Sequence, residues 1–228
     1  MNQVVNLWCR GVARIINMRI RISGDMPDGS AGLVVSNHLG YIDIITHGAV
    51  FSLRYSPKSD IAKWPFVGWV VGLSHPVWID RSFKQATGKA LDEFMQTLKH
   101  GMSLIVYPEG TSSDGKSGIL PFKSALFESA VKGDIPVYPV LTRYREAPGR
   151  GEVAWYGDMT FLPHLWRVLG LPSIESELHL LPPVFSEGRS RKEMASYVRD
   201  TMLKENNRIT RRNYVIQAGS HKDLMQVP

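Results

Sequence analysis

The 228-residue chain reads as an α/β fold: a single domain with a mixed, largely parallel sheet flanked by helices. Three observations carry that expectation. Short apolar runs suited to buried strands recur along the chain, and several of them end abruptly in a polar cluster. Between them lie stretches whose apolar residues repeat at i, i+3, i+4 and i+7, the period of an amphipathic helix. Composition agrees, since 43% hydrophobic and 21% charged residues suit a folded globular chain.

Taken in order, residues 1–24 form the first unit. Val4, Val5, Leu7, Trp8, Val12, Ile15 and Ile16 interleave with Arg10, Arg14, Arg19 and Arg21, and no acid occurs before Asp25. That pattern predicts a short basic amphipathic helix, either an interfacial anchor on anionic lipid or a packing helix with solvated arginines. Residues 25–212 form the main domain. Its strands are predicted at 33–36, 53–56, 77–79, 103–107, 137–141, 153–156 and 178–181. The clearest helix is 84–100, with Leu91, Phe94, Met95 and Leu98 on one face, Ser82 and Gln85 as its capping box and Gly101 as its stop. Shorter helices are predicted at 123–132 and 163–169. A second capping box, Ser190 with Glu193, opens a helix through Met194, Tyr197, Val198 and Leu203. Residues 213–228 read as a loose tail.

Composition also narrows the function. The single cysteine, Cys9, allows no internal disulfide and no thiolate cluster for zinc, and the seven histidines stand at no ligand spacing. A net charge of +6 fits an anionic partner, but neither zinc-finger spacing nor an aromatic RNA-binding signature is present. No apolar run reaches the ~18 residues of a membrane span, and no signal-peptide pattern is evident.

The chemistry concentrates where strands end. After Leu33-Val34-Val35 comes Ser36-Asn37-His38-Leu39-Gly40-Tyr41-Ile42-Asp43. On a regular helix an offset of five residues turns side chains ~140° apart. His38 and Asp43 can therefore meet only if the histidine sits at a strand-to-helix junction and the aspartate folds back from the next helical turn. There the carboxylate would fix the tautomer and leave the other ring nitrogen as a base. No Gly-x-Ser-x-Gly elbow offers a nucleophile, so such a base most simply activates a hydroxyl on the substrate. Ile79-Asp80-Arg81 and Tyr107-Pro108-Glu109-Gly110-Thr111 close two further apolar runs, which points to one site at the carboxyl edge of a sheet.

These blocks resemble those of the glycerolipid acyltransferase family typified by 1-acylglycerol-3-phosphate acyltransferase. The four run in family order: Asn37-His38 through Asp43; Lys63-Trp64-Pro65-Phe66-Val67-Gly68-Trp69 to Ile79-Asp80-Arg81; Pro108-Glu109-Gly110-Thr111 with Pro121-Phe122-Lys123; and Ile135-Pro136-Val137-Tyr138-Pro139-Val140. The resemblance implies an acyltransferase in which His38 deprotonates a lysolipid hydroxyl, Asp43 orients His38, and no covalent acyl-enzyme forms. By the same resemblance Asn37, Arg81, Glu109, Gly110, Thr111, Ser112 and Lys123 would bind the acceptor. The donor would be acyl-CoA or acyl carrier protein as co-substrate, with no metal or other cofactor, and the enzyme would work on the cytoplasmic face of a membrane. The patch of Trp64, Phe66, Val67, Trp69, Val70 and Val71 would pack in the core, line an acyl channel or meet lipid.

One departure bears on the acceptor. Family members acting on lysophosphatidic acid often carry arginine after Glu-Gly-Thr, where it suits paired phosphate oxygens. Here the residue is Ser112. The implied acceptor, 1-acylglycerol-3-phosphate, thus has a rival in a less anionic lysolipid, such as a lyso-ornithine lipid or a lysophosphodiester. Two other classes compete with the enzyme. A nonenzymatic membrane-binding protein would not need the catalytic pair. A P-loop nucleotide hydrolase would use Gly110 to Ser117, which matches Gly-x-x-x-x-Gly-Lys-Ser, but Gly118 and Pro121 interrupt the helix that motif must open.

Overall fold

The computed structural model describes residues 2–25, 31–57, 59–63, 71–72, 76–78, 84–145 and 152–223. Helix α1 (Asn2–Ile15) leads into strand β1 (Met18–Ser23), followed by β2 (Leu33–Ser36), α2 (Ile42–Val50) and β3 (Leu53–Tyr55). Then come a first 3-10 turn (Ser59–Lys63), α3 (Lys84–Lys99), β4 (Ser103–Val106), a second 3-10 turn (Ser124–Phe127), α4 (Glu128–Gly133) and β5 (Val137–Arg145). Helix α5 (Phe161–Leu169), β6 (Ile174–Leu180) and the long α6 (Arg191–Asp223) complete the described elements.

The strands form one sheet in the order β1-β6-β5-β2-β4-β3. All neighbours are parallel except β5 and β6. The expected mixed, largely parallel sheet is what forms. Strand β2 shows why its sequence is uninterruptedly apolar. Leu33 and Val35 enter a core on one face with Leu104, Val106, Phe127, Met194 and Met202, while Val34 enters the other with Ile105, Tyr138 and Leu178. A parallel strand buried on both faces needs no alternation, and each such side chain stabilises the fold by about 1.5–3 kcal/mol.

Several expectations change. The N-terminal unit is helical only to Ile15, and β1 then joins the main sheet beside β6. Exposed Arg19 and Arg21 alternate with half-buried Met18 and Ile20 along it. That is a period of two, as an edge strand requires. Residues 153–156, expected as a strand, are irregular, because their backbone meets the chain at Leu39 instead of a neighbouring strand. The predicted helix at 123–132 divides into the second 3-10 turn and α4, and the tail expected to be loose from residue 213 continues as α6 to Asp223. The Ser190 capping box forms as expected: Glu193 accepts from the Ser190 N–H at 2.8 Å, and the Ser190 hydroxyl also bonds its carboxylate at 2.7 Å. Ser82, Arg81 and the 64–70 part of the apolar patch lie outside the described residues.

Helix α1 packs on α2, seating Cys9 and Ala13 against Ala49. The approach depends on Gly48, where a Cβ would come within 2.4 Å of the Cys9 sulfur. Asn6 and Arg10 donate to the carbonyls of Gly48 and Ala49 at 2.7 and 3.0 Å, satisfying acceptors that the end of α2 leaves open. No helix among the described residues is long and apolar enough to cross a membrane.

Candidate active site

The carboxyl ends of β2, β4 and β5 converge on His38. Beyond β2, the side-chain amide of Asn37 accepts from the Thr142 N–H at 2.8 Å and donates to the Thr142 carbonyl at 3.0 Å. This two-way clasp ties the end of β2 to β5 and aims the next residue, His38, out of the sheet. Leu39 and Gly40 then turn the chain into α2. Gly40 has φ +144, and a Cβ there would lie 3.0 Å from the Trp155 Cβ. Only glycine lets Trp155 close over the turn, where its N–H donates to the Leu39 carbonyl at 2.7 Å.

Asp43, in the first turn of α2, folds back on the junction. Its Oδ2 accepts from the Leu39 N–H at 2.7 Å, from the Gly40 N–H at 3.2 Å and from His38 Nδ1 at 2.8 Å. Its Oδ1 accepts from the Tyr144 hydroxyl at 2.7 Å. The side chain is fully buried, and burial pushes its carboxyl upward in pKa. Hydrogen bonds from His38 and Tyr144 and the nearby imidazoles of His38 and His47 outweigh that and hold it below its ordinary value. An ionised Asp43 cannot donate, so His38 Nδ1 carries the proton and Nε2 is left as the basic nitrogen. Nε2 has no protein partner among the described residues, and a quarter of the His38 side chain remains exposed.

The loop after β4 closes round the same histidine. Tyr107 stacks on the imidazole with ring centroids 4.4 Å apart. Ser113 N–H donates to the His38 carbonyl at 2.9 Å, so residues 110–113 run alongside it, with Thr111 exposed and Ser112 half-buried. Glu109 is turned inward: its oxygens accept from the backbone N–H groups of His38 at 3.0 Å and Leu120 at 3.3 Å. Burial raises its pKa to about 7. The Lys123 N–H donates to the Pro108 carbonyl at 2.8 Å, which seats that exposed lysine next to the loop.

The structure therefore gathers His38, Asp43, Glu109, Gly110, Thr111, Ser112 and Lys123 at one edge. It gives two of the expected acceptor contacts a different task. The polar atoms of Asn37 bond to backbone in the interior, and so do the carboxylate oxygens of Glu109, so both shape the histidine turn. Their side chains pair backbone groups of Thr142, His38 and Leu120 that would otherwise lack those partners. The Gly110 to Ser117 segment is no phosphate cradle: Asp114 accepts from the N–H groups of Lys116 and Ser117 at 2.9 and 3.0 Å, occupying the donors a phosphate would need.

Tyr144 escaped the sequence reading, and Tyr107 entered it only as the start of the 107–111 block, with no role of its own. The signal for Tyr144 lies in β5, where it stands two residues beyond Thr142 and so on the same face of the strand. Thr142 bonds His47 Nε2 at 2.9 Å, and the Tyr107 hydroxyl meets His47 Nδ1 at 3.0 Å. Burial lowers the pKa of His47 to about 4, which keeps it neutral as a packing and hydrogen-bonding residue. Cys9 is buried and its thiol is pushed up to about 12, so it is no nucleophile.

Comparison with known proteins gives a consistent result. The family model described as Acyltransferase matches residues 17–143. The lyso-ornithine lipid O-acyltransferase of Brucella abortus (strain 2308) is 33% identical over 205 residues, which cover 83% of this chain and 76% of that protein. The 1-acyl-sn-glycerol-3-phosphate acyltransferase of Neisseria meningitidis serogroup B (strain MC58) is 29% identical over 175 residues, 76% of this chain and 68% of that protein. Among solved structures, the 1-acyl-sn-glycerophosphate acyltransferase of Thermotoga maritima shares the fold with a TM-score of 0.68 at 22% identity, over 92% of this chain and 79% of that one.

Proposed function

Because the chain belongs to the acyltransferase family, we propose that it transfers a fatty acyl group from a thioester, acyl-CoA or acyl carrier protein, to the hydroxyl of a lysolipid. One observation supports the mechanism: His38 Nδ1 is held by Asp43 at 2.8 Å, while Nε2 has no protein partner among the described residues and a quarter of the side chain is exposed. Nε2 takes the proton of the acceptor hydroxyl as its oxygen attacks the thioester carbonyl. The carbon–sulfur bond then breaks, and the departing thiolate recovers the proton from the imidazolium. Asp43 holds the ring and offsets the transient positive charge. General-base assistance of this kind contributes about 10²–10⁴-fold. Thr111, Ser112 and Lys123 stand where the acceptor head group would lie.

The acceptor is a lysolipid with a free hydroxyl, and Ser112 favours one with less charge than a phosphomonoester. An ornithine head group, with one carboxylate beside an ammonium, fits that description better than 1-acylglycerol-3-phosphate. The names of the relatives include both acceptors. The acceptor's tail keeps it in a bilayer, so the enzyme works at the membrane surface, on the cytoplasmic side where thioester donors are found. Helix α1 is the first point of contact: Val4, Leu7, Trp8 and Ile15 are 72%, 69%, 46% and 84% exposed on a helix with arginines and no acid.

The test is a purified-protein assay with acyl-CoA or acyl carrier protein and a panel of lysolipids, read by mass spectrometry. Wild type should form a diacyl product, and His38→Ala should lose about 10²–10⁴-fold of the rate. Equal rates for the two proteins would refute the assigned base.

A further inference from the structure

Helix α5 carries an outward face that the catalytic chemistry does not use. Its inner side is closed by buried His164 and Val168, whereas Leu162, Trp166 and Leu169 are 62%, 71% and 47% exposed. These three lie at i, i+4 and i+7 and so form one stripe. The helix has no acid, and Arg167 sits beside the tryptophan in sequence. The segments that follow the two helices meet: Ile16 and Leu171 pack against the cluster that holds Val168, and the Asn17 side-chain amide donates to the Pro172 carbonyl at 2.6 Å. Both helices carry arginines, Arg10 and Arg14 on α1 and Arg167 on α5, and neither carries an acid.

Helix α5 is also fastened to the catalytic turn. The Ala154 carbonyl can only accept, so His164 Nε2 donates to it at 3.0 Å, and Nδ1 must then accept from the Tyr41 hydroxyl at 2.9 Å. Phe161 meets the Tyr41 ring edge-on with centroids 5.1 Å apart. Tyr41 follows His38 by three residues, within the turn that Asp43 braces.

We infer that the Leu162–Trp166–Leu169 face of α5 is a second contact with an anionic bilayer, which together with α1 sets the depth of the His38 turn at the lipid surface. The inference rests on the lysolipid acyltransferase reading. The stripe matches an interfacial helix: apolar residues with an amphipathic tryptophan inward to lipid, and cations at head-group level. Helix α5 itself carries an exposed arginine and no acid, as α1 carries arginines and no acid, and an anionic lipid surface complements both.

The test uses the full chain and vesicles of phosphatidylglycerol and phosphatidylcholine. Trp166→Glu and Leu162→Glu change exposed side chains outside the catalytic turn, so their melting temperatures should match wild type. Each should weaken vesicle co-sedimentation on the order of tenfold and lower acyl transfer to lysolipid embedded in vesicles to match. Transfer to a short-chain lysolipid dispersed as monomers should stay unchanged. With brominated phosphatidylglycerol, Trp166→Phe should remove part of the fluorescence quenching seen in wild type. Unaltered co-sedimentation and quenching in these variants would overturn the inference. So would a Trp166→Glu variant that changes only from dimer to monomer without lipid, which would assign the face to a second copy of the chain. If wild type transfers no acyl group even to the monomeric acceptor, it is the enzymatic reading that fails, and vesicle binding still judges the surface.

Discussion

The Tyr144 hydroxyl and the Asp43 carboxylate meet at 2.7 Å, on the oxygen that His38 leaves free. The histidine and two backbone N–H groups share Oδ2, and among the described residues only the tyrosine bonds Oδ1. A carboxylate buried at 0% exposure can remain ionised only with such a complement of donors. In the proposed mechanism Tyr144 is thus a positioning residue, acting on His38 through Asp43.

Tyr144→Phe should leave Oδ1 buried without that donor, at a cost of about 1–3 kcal/mol in stability. If the same loss is felt in the transition state, kcat falls roughly 5- to 150-fold with KM little changed. A carboxylate short of one donor also holds an imidazolium more tightly, so the acidic limb of kcat/KM should move to higher pH. A pH–rate profile separates this from a packing defect, which would lower the curve without moving it.

Glu109 gives a pH dependence of stability. Burial raises its pKa to about 7 from an ordinary 4.5, so the folded state prefers the protonated acid. That contribution is complete below pH 4.5 and is lost as pH rises through 7, amounting to at most about 3 kcal/mol. Urea unfolding at pH 5 and pH 8 should show the difference in wild type. In Glu109→Gln, which cannot titrate, the difference between the two pH values should shrink.

Ser112→Arg tests the choice of acceptor. An arginine beside His38 would supply a planar pair of donors for phosphate oxygens. The variant should shift the ratio of rates toward 1-acylglycerol-3-phosphate and away from lyso-ornithine lipid by about tenfold or more, since one charge-assisted bond is worth about 1.5–3 kcal/mol. Unchanged ratios in a competition assay would discard a role for this position in selecting the head group.

Gly40→Ala should be disruptive despite its small size. A methyl group there meets Trp155 at 3.0 Å on a backbone with φ +144. The combined strain is worth about 1–3 kcal/mol, and it falls on the turn that carries His38. Thermal melting should report the lost stability, and acyl transfer measured well below the melting point should fall further than stability alone explains.

The sheet was legible in outline because buried parallel strands betray themselves as apolar runs. The strands at β2, β4 and β5 begin where hydrophobicity predicts. Strand β1 was hidden by context: MRIRIS is short and basic, and its arginines resembled the polar face of the preceding helix. Only pairing with β6 makes it a strand, with Arg19 and Arg21 each meeting Glu175 at 3.4 and 3.5 Å. At residues 153–156 the error ran the other way. Apolar character suited a strand, but the segment is used to cover the Leu39-Gly40-Tyr41 turn.

By itself the sequence determined that His38 and Asp43 lie at one polar strand end, close enough to meet if the chain turns from strand to helix between them. It also determined which strand ends carry polar groups, since hydrophobic burial dictates the strands and leaves their termini at an edge. Tertiary structure decided what those groups do. Tyr144 reaches Asp43 from 101 residues away, Glu109 reaches the His38 backbone from 71, and Tyr41 meets His164 across 123. Contacts at such separations depend on strand order and helix packing, which no local pattern encodes, and they hold the imidazole of His38 in place at the end of a strand.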